Sequence, residues 1–428
     1  MGRVAPISRH LLSDTSQVED GRLLVGGVSV TDLVAEFGTP LFIYDEDHIK
    51  ARCAEAVAVF GRHATYASKA FSCRYMAKLV TDCGMGIDVS TGGELEIALR
   101  AGVSPSVVTF HGNNKSIDEL QRAITVGVGK IVVDSFDELE RLEYLHSQNL
   151  SAVPNILIRV TPGVKAETHK YVATGQDDSK FGLTVSTGDA QVCIDKAIAS
   201  PAVNLLGIHA HIGSQVFIVD SFVKAFRVLA DIADPYDFEE IIIGGGIGVP
   251  YVNGEHAPSI TEWAKAVTEE AERLGVTAKV GIEPGRSIVA AAGMTAYTVG
   301  TIKKIPGVRN FVAVDGGMSD NPRPIMYDSG YETFCPNNMS DPREFTANLV
   351  GKHCESGDII VADAELPKTI SIGDLVVTPV TGAYGYGMAS NYNSVGKPAV
   401  VFVSSGEAKL VQRRETLDDL FNTDIFDG

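Results

Sequence analysis

Residues Lys130 to Gln148 read KIVVDSFDELERLEYLHSQ. Two patterns meet at Ser135. The first part is a short run of isoleucine and valine, the composition of a strand covered on both faces. The second part opens with Ser135 as a helix N-cap and puts Glu138 in the first turn. The stretch therefore predicts one strand followed by one helix.

The same unit repeats from about Ala64 to Gly285. Strands are predicted at ATYASKA from Ala64, GMGIDVS from Gly84, VVTFHG from Val107, KIVVDS from Lys130, NILIRV from Asn155, LLGIHAHIG from Leu205, EIIIGGG from Glu240 and AKVGIEPG from Ala278. Helical segments such as SIDELQRAITVG, opened by Ser116, lie between them. Eight units over about 220 residues fit a closed (β/α)8 TIM barrel better than an open doubly wound sheet. No G-x-G-x-x-G fingerprint supports the open sheet.

After Arg286 the chain turns to short strands separated by Gly, Pro, Asn and Asp, an all-β pattern. The N-terminal stretch GRLLVGGVSVTDLVAEFGTPLFIYD has the same look. The expected organisation is an α/β chain in three parts. Residues 1–44 pack with the β domain, 45–295 form the barrel, and 296–428 form a C-terminal all-β domain, sandwich- or barrel-like. The acidic tail from Arg413 reads as a terminal helix or frayed end.

The chain has 428 residues, 45% of them hydrophobic, and a net charge of −18. That charge argues against nucleic-acid binding, which needs clustered Lys and Arg. The six cysteines show no C-x-x-C pair and no metal-type spacing, so they read as reduced thiols and no metal is expected. No stretch approaches eighteen apolar residues, and the N-terminus lacks a signal-type apolar region. A cytoplasmic protein without a membrane partner is expected.

The predicted strand ends carry Lys69, Asp88 with Ser90, His111 with Asn113, Asp134, Arg159, His211 with Ser214, the glycines 244–246, and Glu283 with Arg286. In a parallel barrel these ends meet at one mouth, where barrel enzymes keep their chemistry. A lysine there, if buried, loses its proton easily and forms a Schiff base with an aldehyde. Gly244 to Gly248, GGGIG, offers backbone N–H groups to an anion, and EPGR follows on the last strand. A Schiff-base lysine beside a phosphate cradle points to pyridoxal 5′-phosphate (PLP), an electron sink for carbanions. An acid such as Glu283 would keep the ring nitrogen protonated, and His211 could lie on the ring. Each feature also has a plain structural reading: a strand-end lysine, a tight glycine turn, a core histidine.

Nine motifs stand in order: YASKAF, GNNKS, THKYVATG with SKFG, HIGSQ, GGGIGVPY, EPGR, VDGGMSDNPRPIMY, CESGD and GAYGYGMASNYN. Together, from about Val25 to Val403, they resemble the diaminopimelate decarboxylases of the barrel-type (fold-type III) PLP-dependent decarboxylase family. The resemblance implies that Lys69 carries PLP and His211 stacks on its ring. It places Ser214, Gly245, Gly246 and Arg286 around the phosphate and Glu283 on the ring nitrogen. It implies cofactor and substrate contact for Tyr384, and substrate contact for Arg286, Arg323, Tyr327 and Glu355. Cys354 resembles the proton donor. In the family Cys354 and Glu355 come from the second subunit, so a homodimer with a shared active site is implied. Thr91 and Thr161 stand where relatives commonly differ, outside these contacts.

Relatives decarboxylate ornithine, arginine or carboxynorspermidine. A substrate with a distal ammonium alone wants an acid at that end, whereas meso-diaminopimelate also brings a carboxylate that suits arginine. Arg323 and Arg286 beside Glu355 favour the latter, with L-lysine and CO2 as products. A cofactor-free Schiff-base aldolase would not need the glycine corner or EPGR. A non-catalytic PLP-binding relative would be expected to lack Lys69, Cys354 or the glycines. The loop from Pro162 to Phe181 is long for a barrel connection and reads either as a lid or as a surface insertion.

Overall fold

The structure, a computed structural model, describes residues 7–148, 152–164 and 178–426. It divides into two compact units. One is Lys50–Val249 with Ala257–Ile288; the other is Met1–Ile49 with Pro250–His256 and Val289–Gly428. The sequence-based division at 45 and 295 differs from these bounds by a few residues, and Pro250–His256 is an excursion that it did not contain.

The first unit is the eight-stranded parallel barrel. Its strands are Thr65–Ala67, Gly86–Val89, Val108–Phe110, Lys130–Val133, Asn155–Thr161, Asn204–His209, Glu240–Ile242 and Lys279–Gly281. Each pairs in parallel with the next in chain order. The eighth closes on the first: Thr65 N–H donates to Ile282 O at 2.9 Å, and Ile282 N–H to His63 O at 3.0 Å. Closure removes the free edges of this eight-stranded sheet.

The predicted caps form as the residue types dictate. Ser116 and Glu119 make a reciprocal capping box on helix Ile117–Val126. Ser135 accepts from Glu138 N–H on helix Phe136–Ser147. On that helix Leu139, Leu142 and Leu145 recur at three-residue spacing and all are buried. Each such leucine contributes about 1.5–3 kcal/mol relative to exposure.

In the second unit one sheet runs Ile359–Leu366, Phe345–Val350, Arg309–Val314, Gly293–Ile305, Leu41–Asp45, Ala399–Ser404 and Glu407–Gln412, with Leu375–Pro379 also on Gly293–Ile305. The N-terminal strand Leu41–Asp45 lies inside this sheet, antiparallel to Gly293–Ile305 and parallel to Ala399–Ser404. All five of its residues are buried. The reading of that N-terminal stretch as wholly strand-like needs correction. Val30–Phe37 is a helix, ended by Gly38 at φ +70°. Its buried Val30 and Leu33 join the β-unit core with Leu41, Ile43 and Val401, so packing overrides the β-branched composition. The tail forms a short helix, Leu417–Phe421, capped by Thr416. Among the described residues no helix is long and apolar enough to cross a membrane. Residues 165–177, the middle of the expected lid, lie outside the described residues.

Candidate active site

The barrel mouth gathers the polar residues that the strand ends predicted. Lys69 lies two residues past its strand, in the 3-10 turn Ser68–Ala70. The expectation of a buried amine is corrected: Lys69 is exposed, between buried Ser68 and Ala70, in a turn that begins where the strand stops at Ala67. Its charge still acts on Asp88, Glu94 and His211, which places it over the mouth. Asp88 is buried and accepts from Ser68 N–H at 3.0 Å. Burial and the neighbouring Glu283 push Asp88 well above the usual carboxylate range, against the pull of Lys69.

The most constrained group is Glu283. Its carboxylate is 7% exposed, and each oxygen meets an imidazole. His111 Nε2 is 3.0 Å from Oε1, and His209 Nε2 is 2.8 Å from Oε2. Burial alone would raise Glu283; the two histidines overcome it and hold the carboxyl well below its ordinary value. Burial pushes His111 down to about 4, although Glu283 opposes this. A neutral His111 thus donates Nε2–H to an ionised Glu283. The three polar atoms lie within 4.8 Å of one another, a spacing that suits a metal ion as well as a proton.

His211 follows on the sixth strand's end. Gly245 N–H donates to His211 Nδ1 at 3.2 Å, which leaves the hydrogen of the neutral ring on Nε2. Burial first, then the charges of Lys69 and Arg159, push His211 well below the ordinary histidine value. Gly245 and Gly246 form the corner beside it. A Cβ on Gly245 would sit 2.0 Å from Glu283 O, and one on Gly246 1.9 Å from Gly213 O. Only glycine fits at either position, so the bare backbone forms the corner, with the Gly245 N–H already turned to His211. Buried Arg286 donates through Nη2 to Ser214 Oγ at 2.9 Å, which adds a cation and a hydroxyl. An acid for a ring nitrogen, an imidazole, a lysine and an anion corner therefore occur in one barrel, the donor set that PLP needs.

Arg159 and Asp134 pair at 3.5 Å, and the Arg159 guanidinium lies 4.4 Å over the Phe181 ring. Gly182 N–H donates to Asp134 Oδ2 at 3.0 Å. The described end of the long loop is thus anchored to strand ends. Below it, buried Lys115 and Glu138 pair at 2.8 Å, and Lys115 also donates to Val132 O.

The β unit carries the remaining predicted residues. Arg323 is buried, 4% exposed. Tyr327 is half-buried in the same short helix, Arg323–Tyr327. Tyr384 is half-buried at φ +57°, a left-handed backbone that a bulky residue rarely adopts. Cys354 and Glu355 are exposed. Cys354 N–H donates to Asn393 Oδ1 at 3.0 Å, and the preceding His353 is buried with Nε2 2.8 Å from Ser319 Oγ.

Sequence reasoning did not assign His209, nor the pairing of His111 with Glu283. The signal for His209 was HAH, two histidines at alternate positions at a strand end, which share a face. It also missed Asp320, in the loop before Arg323. Asp320 is 1% exposed and accepts from Tyr297 OH and Gly317 N–H, both at 2.8 Å. Burial, with Asp358 and Asp315 nearby, pushes its carboxyl up to about 7 against those two donors. Between pH 4 and 7 the unfolded chain has released this proton while the folded chain keeps it. Stability from this group therefore falls as pH rises through that window. Asp320→Asn cannot ionise. Its deficit in unfolding midpoint against the parent is expected to be largest at the low end of that window, near pH 4, and to shrink as pH rises to 8, by at most a few kcal/mol. A deficit constant with pH would contradict the assignment.

The chain was compared with known proteins. A family model described as the pyridoxal-binding domain of pyridoxal-dependent decarboxylases matches residues 46–290. A diaminopimelate decarboxylase of Bacillus subtilis is 43% identical, over 96% of this chain and 96% of that one. One from Mycobacterium tuberculosis is 43% identical, over 96% and 97% respectively. The solved diaminopimelate decarboxylase of M. jannaschii in co-complex with L-lysine superposes with a TM-score of 0.90 at 32% identity, covering 97% of this chain and 98% of that chain.

Proposed function

The chain belongs to the pyridoxal-dependent decarboxylases, among the diaminopimelate decarboxylases, and on that basis we propose that it converts meso-2,6-diaminopimelate to L-lysine and CO2. The observation that carries the proposal is Glu283, ionised between His111 and His209 on the same barrel as Lys69 and the glycine corner. When bound, PLP supplies an electron sink for the pair left behind as the carbon–carboxylate bond breaks.

The chain's own residues do the rest. Lys69 holds the cofactor. Gly246, Ser214 and Arg286 offer N–H, hydroxyl and guanidinium donors to its phosphate, and Gly245, whose own N–H goes to His211, shapes the corner by its lack of a side chain. His211, fixed in one tautomer by Gly245, presents its ring as a flat support. Glu283 keeps a proton on the ring nitrogen, since a buried carboxylate next to that nitrogen favours its cationic form. Tyr384 contacts cofactor and substrate.

Substrate recognition falls to Arg286, Arg323, Tyr327, Glu355 and Tyr384. The distal end of meso-diaminopimelate carries an ammonium and a carboxylate. Glu355 suits the first and Arg323 the second, in the planar two-point fashion of guanidinium and carboxylate. Ornithine, arginine and carboxynorspermidine readings lack a use for a buried arginine of this kind. Cys354 Sγ–H returns a proton to the carbon that has lost CO2. We place Cys354 and Glu355 in the site of a partner copy, as a homodimer with shared sites, in the cytoplasm. The test is stoichiometric: PLP-loaded protein given meso-diaminopimelate should release one CO2 per L-lysine, and no lysine would refute the assignment.

A further inference from the structure

Arg323 is a buried guanidinium with an unusual set of partners. Nη1 donates to Tyr331 OH at 2.6 Å, and Nη2 donates to Ser329 Oγ at 3.1 Å. The guanidinium carbon lies 4.1 Å over the centre of the Tyr251 ring and 5.5 Å from that of Tyr331. The two rings meet edge to face, 5.1 Å apart at 78°. Among the described residues no carboxylate lies within 4.0 Å of Arg323.

A buried cation is ordinarily paired, because desolvation is costly and a neutral hydroxyl returns little of it. Here the ring face of Tyr251 and the hydroxyls of Tyr331 and Ser329 substitute for the counter-ion. Ring faces attract the cation without occupying its in-plane N–H groups. Each hydroxyl takes one donor of the five that arginine offers. The Tyr251 ring covers the guanidinium and the two hydroxyls hold Nη1 and Nη2, while donors remain for a planar anion. Pro322 and Pro324 flank Arg323 and restrict its backbone as well.

We propose that Tyr251, Tyr331 and Ser329 are positioning residues that hold Arg323 preset for a substrate carboxylate. This rests on the reading of Arg323 as the receptor for the distal carboxylate. The two tyrosines act by different means. Tyr251 works through its ring, so phenylalanine should substitute for it and leucine should not. Tyr331 also works through its hydroxyl, so phenylalanine should fail there.

The experiment is calorimetric titration of the PLP-loaded protein with L-lysine and with 1,5-diaminopentane, which is lysine without its carboxylate. The readout is the ratio of the two affinities. Tyr331→Phe is expected to cut the preference for lysine about tenfold, the scale of one hydrogen bond to a charged group. Tyr251→Leu should cut it similarly, and Tyr251→Phe should restore most of that loss. In turnover, KM for diaminopimelate should rise more than kcat falls. If Arg323→Leu removes the preference while Tyr331→Phe and Tyr251→Leu keep it, the clamp is wrong and the reading of Arg323 stands. If Arg323→Leu keeps the preference, the receptor reading itself fails and the clamp with it. A merely structural role would lower affinity for both ligands equally, which also overturns the proposal.

Discussion

Lys69→Ala should abolish turnover of meso-diaminopimelate, by roughly 10⁴-fold or more, the scale seen when a group central to covalent catalysis is removed. The visible absorbance that PLP gives the parent protein should vanish with it. The substitution is well placed to isolate chemistry from folding. Lys69 is exposed in a 3-10 turn, and alanine suits that turn. Surface truncations of this kind shift stability by about 0.5 kcal/mol or less. Loss of activity with an unchanged unfolding midpoint would therefore report the amine and its charge, not a failure to fold. Its charge also bears on Asp88, Glu94 and His211, so their ionisation should change in the variant. With the cation gone, Asp88 should protonate at still higher pH. A variant that keeps the visible band, or keeps turnover, would refute the role given to Lys69.

Glu283→Gln should lower kcat by about 10²–10³-fold, the range for removing a preorganised charge from a dry site. Glutamine keeps the shape and one acceptor oxygen. It places an amide N–H₂ opposite one imidazole N–H, so one of His111 and His209 faces a donor. That mismatch should cost about 1–3 kcal/mol of stability, the price of an unsatisfied buried polar group. The effect on the cofactor separates this from a simple loss of stability. Without the carboxylate the ring nitrogen of bound PLP should give up its proton at lower pH, a shift that ¹⁵N NMR of labelled cofactor reads directly. PLP affinity should change much less than kcat, because the glycine corner and Arg286 are untouched. A kcat within threefold of the parent, or an unmoved ring-nitrogen titration, would contradict the role of Glu283.

Much of this was legible in the chain because it is local. Each barrel strand is an apolar run of a few residues, and Ser116 and Ser135 cap helices through bonds that span three residues. Gly245 and Gly246 announce themselves because no other residue fits their corner. What was not legible depends on closure. His111 and Glu283 are 172 positions apart, and His209 and Glu283 are 74 apart; only the barrel brings them to one carboxylate. The stack of Tyr251 on Arg323 joins a short excursion of the chain to a helix far along it. The exposure of Lys69 turns on where its strand stops, a boundary that composition does not fix. Helix Val30–Phe37 was hidden for a different reason: its β-branched residues favour a strand locally, and burial of Val30 and Leu33 decides otherwise.

The most direct measurement is the ratio of kcat/KM for meso-diaminopimelate to that for ornithine, arginine and lysine, scored by CO2 release from the PLP-loaded protein. A buried arginine without a carboxylate partner predicts strong preference for the substrate with a second carboxylate, by about 10³-fold or more, since each competitor leaves that cation unpaired. Comparable values for ornithine and diaminopimelate would contradict the account.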